Sequence, residues 1–209
     1  MKPLFVGFCG KYKSGKTTLR DATQYEFTKR VQAGEIQSPY PDSVSFATPL
    51  KEFCVQTLGL SYSQVYGADK NTLTTYTWGQ MPGYSRVTVC DLTGHLQFND
   101  KSDEFMTARE VMQWWGTEVF RTMDPDFFVK KVQDYQGGHE YPLLADDVRF
   151  GNEAALCDTL IHVVGDGEDT HSSETAVLPY HMSIDTQQIS IEQAASQCVE
   201  FIVGRMSRA

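Results

Sequence analysis

Along the chain, short apolar runs alternate with stretches in which apolar side chains return every three to four residues. That alternation predicts an α/β fold, a mostly parallel five-stranded sheet flanked by helices, with a small insertion. The first strand is expected at Leu4 to Phe8, followed by a glycine-containing loop and a helix from about Lys16 to Arg30. A second strand, Ser43 to Ala47, follows a turn-rich stretch holding Pro39 and Pro41. Thr48 as N-cap, Pro49 at the first helical position and Gly59 past the end delimit the next helix.

From Leu60 to Ser102 the period weakens into Gly, Thr, Tyr and Asp, so residues 60–105 are read as the insertion, with a hairpin around Arg86 to Cys90 and His95 to Phe98. Thr107-Ala-Arg-Glu110 is a capping box that opens a helix running to about Met123. Three more core strands are expected at Tyr141 to Ala145, Thr159 to Val164 and Met182 to Ile184, with a helix through Glu153 to Cys157 between the first two. The acidic loop at 165–175 has the position of a lid. Ser190 and Gln193 cap a final helix whose Ile191, Ala194, Ala195, Cys198, Phe201 and Ile202 form one apolar face. Residues 1–209 read as a single domain carrying that insertion.

Composition narrows the class. With 209 residues and 41% hydrophobic content the chain can bury a core without a disulfide or metal staple. No apolar run approaches the roughly 18 to 20 residues that span a bilayer, and glycine and charge interrupt MKPLFVGFCGKYKSGK before a signal-peptide core forms; a cytoplasmic protein without membrane contact is expected. Cys9, Cys54, Cys90, Cys157 and Cys198 are odd in number and scattered, which reads as buried free thiols. A net charge of −9 argues against nucleic acid as a partner. The charge is uneven, with seven basic and two acidic residues in 1–30 and Arg149 alone against twelve acids in 140–200.

The strongest chemical signal is Gly10-Lys-Tyr-Lys-Ser-Gly15-Lys16-Thr17, which fits G-x-x-x-x-G-K-[ST] between a predicted strand and helix. Such a loop turns backbone N–H groups around phosphate oxygens, and the helix N-terminus adds its dipole. ATP and Mg²⁺ are therefore expected at Lys13, Ser14, Gly15, Lys16, Thr17 and Thr18, with Lys16 on the β and γ phosphates and Thr17 on the metal. Asp146 or Asp147, at a strand end, can complete the metal shell, with Asp147 the residue assigned. A GTPase is not indicated, since Asp69-Lys70-Asn71 lacks the N/T-K-x-D base-reading pattern.

Asp147-x-Arg149-x-x-x-Glu153 follows the same strand, where open α/β sheets bind ligands. Arg149 can be a salt-bridge hub or an arginine held by acids to grip phosphate, and the second reading is preferred. On the helix from Thr107, Val111, Trp115 and Val119 make an apolar ladder, while Arg109, Gln113 and Thr117 make a polar one that Gly116 leaves open. That ladder can face a ligand or simply water. His139, His162, His171 and His181 show no metal-ligand spacing, and no serine or cysteine nucleophile motif is present.

Together these residues resemble the deoxynucleoside monophosphate kinases of tailed bacteriophages. The matching segments are GKYKSGKTT, FATPLKEF at 46 to 53, LGL and YGADK within 58 to 70, TAREVMQWWGTEVFR at 107 to 121, LLADDVRFGNEA at 143 to 154 and HSSE at 171 to 174. The resemblance implies a P-loop kinase fold and ATP-dependent phosphorylation of deoxynucleoside 5′-monophosphates, in the host cytoplasm if the chain is phage-encoded. Carried onto this chain, Lys16 and Thr17 handle the triphosphate and Mg²⁺, and Asp147, Arg149 and Glu153 belong to the active centre. Lys51, Lys70, Trp78, Arg109, Gln113 and Thr117 line the monophosphate side. A homodimer is the default implied. The candidate lid, Gly165 to His181, contains no Arg or Lys, so Arg121 and Arg149 are the substitutes for a lid arginine; Phe127-Phe128 stands where the family pattern suggests tryptophan. The rival readings are a P-loop kinase for a hydroxyl acceptor and a non-catalytic ATP-binding regulatory protein.

Overall fold

The computed structural model describes residues 4–85, 87–89, 96–98, 101–138, 140–166 and 178–207, with the side chains of 87–89 and 96–98 left aside. Strand β1 (Phe5–Cys9) is buried at all five positions, as a strand covered on both faces must be. Helix α1 (Lys16–Gln32) starts directly after Gly15. Strand β2 (Asp42–Val44) ends before the expected Ala47, because Ser45 and Phe46 leave the ladder to bond a side chain. Helix α2 (Thr48–Gln56) takes Thr48 as its first residue; Ala47 holds the cap position without a side-chain bond, which corrects the expected cap. Gly59 follows the helix in a left-handed conformation, φ 68°.

Residues 60–105 hold more regular structure than their pattern suggests. Helix α3 (Tyr62–Val65) is capped by Ser61 and Gln64, and a 3₁₀ turn spans Ala68–Asn71. Strand β3 (Leu73–Thr77), a second 3₁₀ turn (Trp78–Gln80) and the antiparallel pair β4 (Val87–Val89) and β5 (Leu96–Phe98) follow. The pair lies where the hairpin is expected; residues 90–95 between its strands are outside the described residues. Strand β6 (Phe105–Thr107) pairs antiparallel with β3, which the periodicity does not predict. Helix α4 (Ala108–Trp114) opens on the expected capping box of Thr107 and Glu110, passes through a π-helical stretch (Trp115–Phe120) and ends as α5 (Arg121–Met123).

Helix α6 (Phe127–Gln136), also unpredicted, precedes β7 (Leu143–Ala145), α7 (Gly151–Leu156), β8 (Thr159–Val164), β9 (Met182–Asp185) and α8 (Ile191–Met206). The chain divides into two compact units, Met1–Phe46 with Phe128–Ala209, and Ala47–Phe127.

In the first unit the five-stranded sheet is parallel throughout, in the order β2-β7-β1-β8-β9. One face of it buries Val6, Phe8, Leu144, Ile161, Val163 and Ile184 against Leu19 and Phe27 of α1 and Ala194, Cys198, Val199 and Ile202 of α8. Ser190 and Gln193 form the expected box at the start of α8. In the second unit Cys54, Leu60, Val65, Met81, Met106, Ala108 and Val111 form a separate core. No helix among the described residues is long and apolar enough to cross a membrane.

Candidate functional site

The loop after β1 has the backbone its glycines allow. Gly10 has φ 141° and Gly15 φ 88°, both left-handed, and Lys13 joins them at 62° without being glycine. Lys16 Nζ donates to the carbonyls of Gly10, at 2.8 Å, and of Lys11, so the loop and its lysine close on each other. Ser14 is 2% exposed, and its hydroxyl has no hydrogen-bond partner among the described residues. A buried hydroxyl left so costs stability, and phosphate-binding loops carry such donors for an anion.

Two glycines let this loop lie against the end of β8. A Cβ on Gly10 would stand 2.4 Å from the Val163 carbonyl oxygen, and one on Gly165 would stand 2.6 Å from that of Ser14. Beside them Thr186, just past β9, donates its hydroxyl to the Val164 carbonyl at 3.1 Å. Gly165 and Thr186 were not identified from sequence. Position offers the only hint, since both immediately follow a strand's carboxyl end.

β7 delivers two carboxylates with different partners. Asp146 accepts a hydrogen bond from Thr17 Oγ1 and lies 3.7 Å from the Arg20 guanidinium, one turn further along α1. Asp147 accepts from Ser45 Oγ at 2.6 Å and from the Phe46 N–H at 3.1 Å. The carboxylate that meets Thr17 is therefore Asp146, whereas the sequence assignment named Asp147. Arg20 and Ser45 carried no motif to reveal them.

Arg149 is half-buried and Glu153 is 1% exposed. Glu153 accepts the backbone N–H groups of Arg149, at 2.8 Å, and Phe150, at 3.1 Å. It thereby caps α7 and fixes the turn that carries the arginine. The expected side-by-side placement on one helix face becomes a carboxylate holding backbone.

Burial and Lys16 shape the electrostatics of the strand ends. Burial pushes the Cys9 thiol up to about 11, with the Lys16 charge acting in the opposite direction. His162, opposite Cys9 in the β1–β8 register, is held below its ordinary value, first by burial and then by Lys16. Its ring stacks on Tyr180 at 5.0 Å. Cys9, Cys54, Cys157 and Cys198 are free and buried, as expected, while Cys90 lies outside the described residues.

The residues expected on the monophosphate side belong to the second unit. Lys51 Nζ stands over the Tyr66 ring at 5.3 Å, and Tyr66 stacks on Tyr62 at 4.4 Å. Arg109 Nε donates to Asn71, the neighbour of Lys70, at 3.0 Å. Trp78 packs with Trp114 at 5.8 Å and Tyr84 at 6.3 Å, so its ring is built into an aromatic cluster.

The polar ladder needs correction. Arg109 and Gln113 lie on α4, but Thr117 falls in the π-helical stretch, where the i to i+5 spacing breaks the four-residue ladder. Gly116 is buried, and a Cβ there would meet Leu50 Cδ2 at 2.9 Å; its space is taken by a leucine, not left open to a ligand. On the apolar ladder Val111 is buried, whereas Trp115 and Val119 are half-buried. Arg121 begins α5. Of the lid-like loop, residues 167–175 lie outside the described residues, as do His139 and His171.

No group of three or more His, Cys, Asp or Glu side chains arranged to hold a metal occurs among the described residues. The paired oxygens of Thr17 and Asp146 are nonetheless suited to Mg²⁺, which takes few protein ligands and completes its shell with phosphate and water. No protein-family model matches the chain, and no curated protein matches it either. What the structure defines is an α/β fold with a helix-flanked parallel sheet, consistent with the broad P-loop NTPase and kinase superfamily and compatible with nucleotide binding and kinase-like chemistry.

Proposed function

We propose that this protein is an ATP-dependent kinase that transfers a phosphoryl group to deoxynucleoside 5′-monophosphates. The observation that carries the reading is the junction of β1 and β7, where a loop closed by Lys16 lies beside the Thr17–Asp146 pair. In this reading the two strand ends supply a cradle for phosphate and a pair of oxygens for the metal. The choice of acceptor rests on the resemblance of D-x-R-F-x-x-E and R-E-x-x-Q-x-x-G-T-E to the phage enzymes.

Phosphoryl transfer needs positioning and charge stabilisation more than covalent help. In this reading the loop N–H groups and Lys16 hold the donor phosphates, and the Ser14 hydroxyl gains the partner it lacks. Mg²⁺, held by Thr17 and Asp146, would neutralise charge on the phosphates. Arg149, on a turn braced by Glu153, grips the phosphate in motion, and Arg121 is the second cation. The acceptor oxygen is already ionised at neutral pH, so no general base is needed. Lys51, Lys70, Trp78, Arg109, Gln113 and Thr117 remain the residues proposed for the acceptor, with the correction that Trp78 also serves the packing of its own unit.

Incubation with ATP and Mg²⁺ and a panel of deoxynucleotides, ribonucleotides and nucleosides, followed by product separation, tests the proposal. A new deoxynucleoside diphosphate is expected. A phosphorylated nucleoside would point to a hydroxyl-acceptor kinase, and ADP without a phosphorylated acceptor to an ATP-binding regulatory protein.

A further inference from the structure

Asp146 and Asp147 leave β7 together, yet serve opposite neighbours in the sheet. β7 lies between β2 and β1. Asp146 meets α1, the helix that follows β1, through Thr17 and Arg20. Asp147 meets the chain that leaves β2: Ser45 Oγ donates to one carboxylate oxygen at 2.6 Å and the Phe46 N–H to the other at 3.1 Å. Each carboxylate thus serves one side. Phe46 is in turn 2% exposed, with its ring edge-on to Phe5 at 5.9 Å. The segment after β2 is thus tied to β7 by a hydroxyl and an amide and to β1 by a ring contact.

The strand order gives the loop after β1 one flank toward β8 and one toward β7 and β2. Toward β8 it is closed, because Gly165 lies so near that even a methyl group would reach the Ser14 carbonyl. Toward β7 and β2 come first the turn with Arg149 and then Ser45 and Phe46. On the kinase reading, that is the side on which an acceptor would meet the terminal phosphate of a donor in the loop.

We infer that Asp147 is a positioning residue for the acceptor and not a magnesium ligand: with Ser45 it clamps the Ser45–Phe46 segment that forms the acceptor wall at the carboxyl end of β2. The inference rests on the kinase reading for the word acceptor, while the clamp itself rests on the two hydrogen bonds. Magnesium is left to Thr17 and Asp146.

Four variants test it: Asp146→Asn, Asp147→Asn, Ser45→Ala, and Ser45→Thr, which keeps the hydroxyl. Mn²⁺ affinity, read by electron paramagnetic resonance with a non-hydrolysable ATP analogue, should fall about tenfold or more in D146N and stay near wild type in D147N. The Phe46 amide should exchange hydrogen faster in D147N, since the acceptor of its bond is altered. The KM for the monophosphate should rise about tenfold in D147N and S45A, by more than kcat falls, and S45T should restore it.

Loss of Mn²⁺ affinity in D147N equal to that in D146N would overturn the assignment, as would unchanged exchange at Phe46 or a fall confined to kcat. If the wild-type protein forms no deoxynucleoside diphosphate, the kinase reading fails by itself, and Phe46 exchange still decides whether Asp147 is a clamp.

Discussion

At the scale of single residues, absent side chains shape the site as much as present ones. A methyl on Gly165 would stand 2.6 Å from the Ser14 carbonyl oxygen and 3.1 Å from its Cα, so the loop after β1 must shift to admit it. Gly165→Ala should therefore cost about 1–3 kcal/mol of stability and weaken nucleotide binding. Gly151→Ala, with nothing within 4 Å, is the matched control and should be near neutral in the same denaturant titration. His162 supplies a pH dependence. Its folded pKa lies below the ordinary value of 6.5, so the unfolded chain takes up the proton first as pH falls. The stability it contributes is complete above 6.5 and is lost as pH drops through that value toward the folded one. His162→Gln should flatten the acid-side decline between neutral pH and pH 5 in melts run across that window; an unchanged slope would place the decline elsewhere. Lys16, Thr17 and the pair at 146 and 147 were legible in the sequence because their motif or strand end is local. Ser45 was not, since its partner Asp147 lies 102 residues along the chain. Which of two adjacent aspartates meets Thr17 is likewise a matter of three-dimensional pairing.

Among the elements, the helix from Ala108 to Met123 separates what pattern can and cannot reveal. Its start was readable because a capping box is made by residues three apart. Its π-helical stretch was not, because an extra residue per turn leaves no mark in composition. That stretch breaks the expected polar ladder and brings Gly116 against Leu50. Gly116→Ala, which by helix propensity alone should stabilise, should instead cost about 1 kcal/mol by overpacking. Leu50→Ala should relieve that cost, and a double-mutant cycle in urea melts that came out additive would contradict the contact. Core strands β7, β8 and β9 were legible within a few residues as apolar runs in a covered parallel sheet. β6 escaped because three residues with one buried side chain carry no period. α6 buries Phe128, Val129, Val132 and Gln136, a helical stripe whose last member is polar, so the apolar period that would mark it in the sequence is incomplete.

For the molecule as a whole, the net charge of −9 hides a division of labour. The basic segment 1–30 contains the glycine-rich loop, and the carboxylates of the strand ends hold Thr17, Arg20 and a backbone amide in place. Ligand linkage reads this at the level of the fold. ATP with Mg²⁺ at a hundred times its dissociation constant should stabilise the protein by about 2.7 kcal/mol, seen as a rise in Tm, and Lys16→Ala should abolish the rise. A variant that kept the full shift would remove the loop from the nucleotide site. Fold class was legible because alternation of strand and helix is written along the whole chain; the grouping of residues into two units was not, because it depends on contacts between distant segments.

The central place of β1 has a consequence for how the protein is made. The strand that carries the glycine-rich loop is made before the sheet's other four strands, but both of its sheet neighbours, β7 and β8, follow more than 130 residues later in the sequence. Even the Phe5 amide finds its hydrogen-bond partner 153 residues later, in Asp158. Until then both edges of the pentapeptide lack a ladder, although α1 can already cover one of its faces through Leu19 and Phe27. Such long-range pairing is slow and leaves nascent chains exposed to aggregation. A stalled or truncated product lacking the stretch from β7 onward would therefore be an open strand seeking a partner and not a weaker nucleotide binder, which makes holding β1 in a soluble state the vulnerable step in this protein's biogenesis.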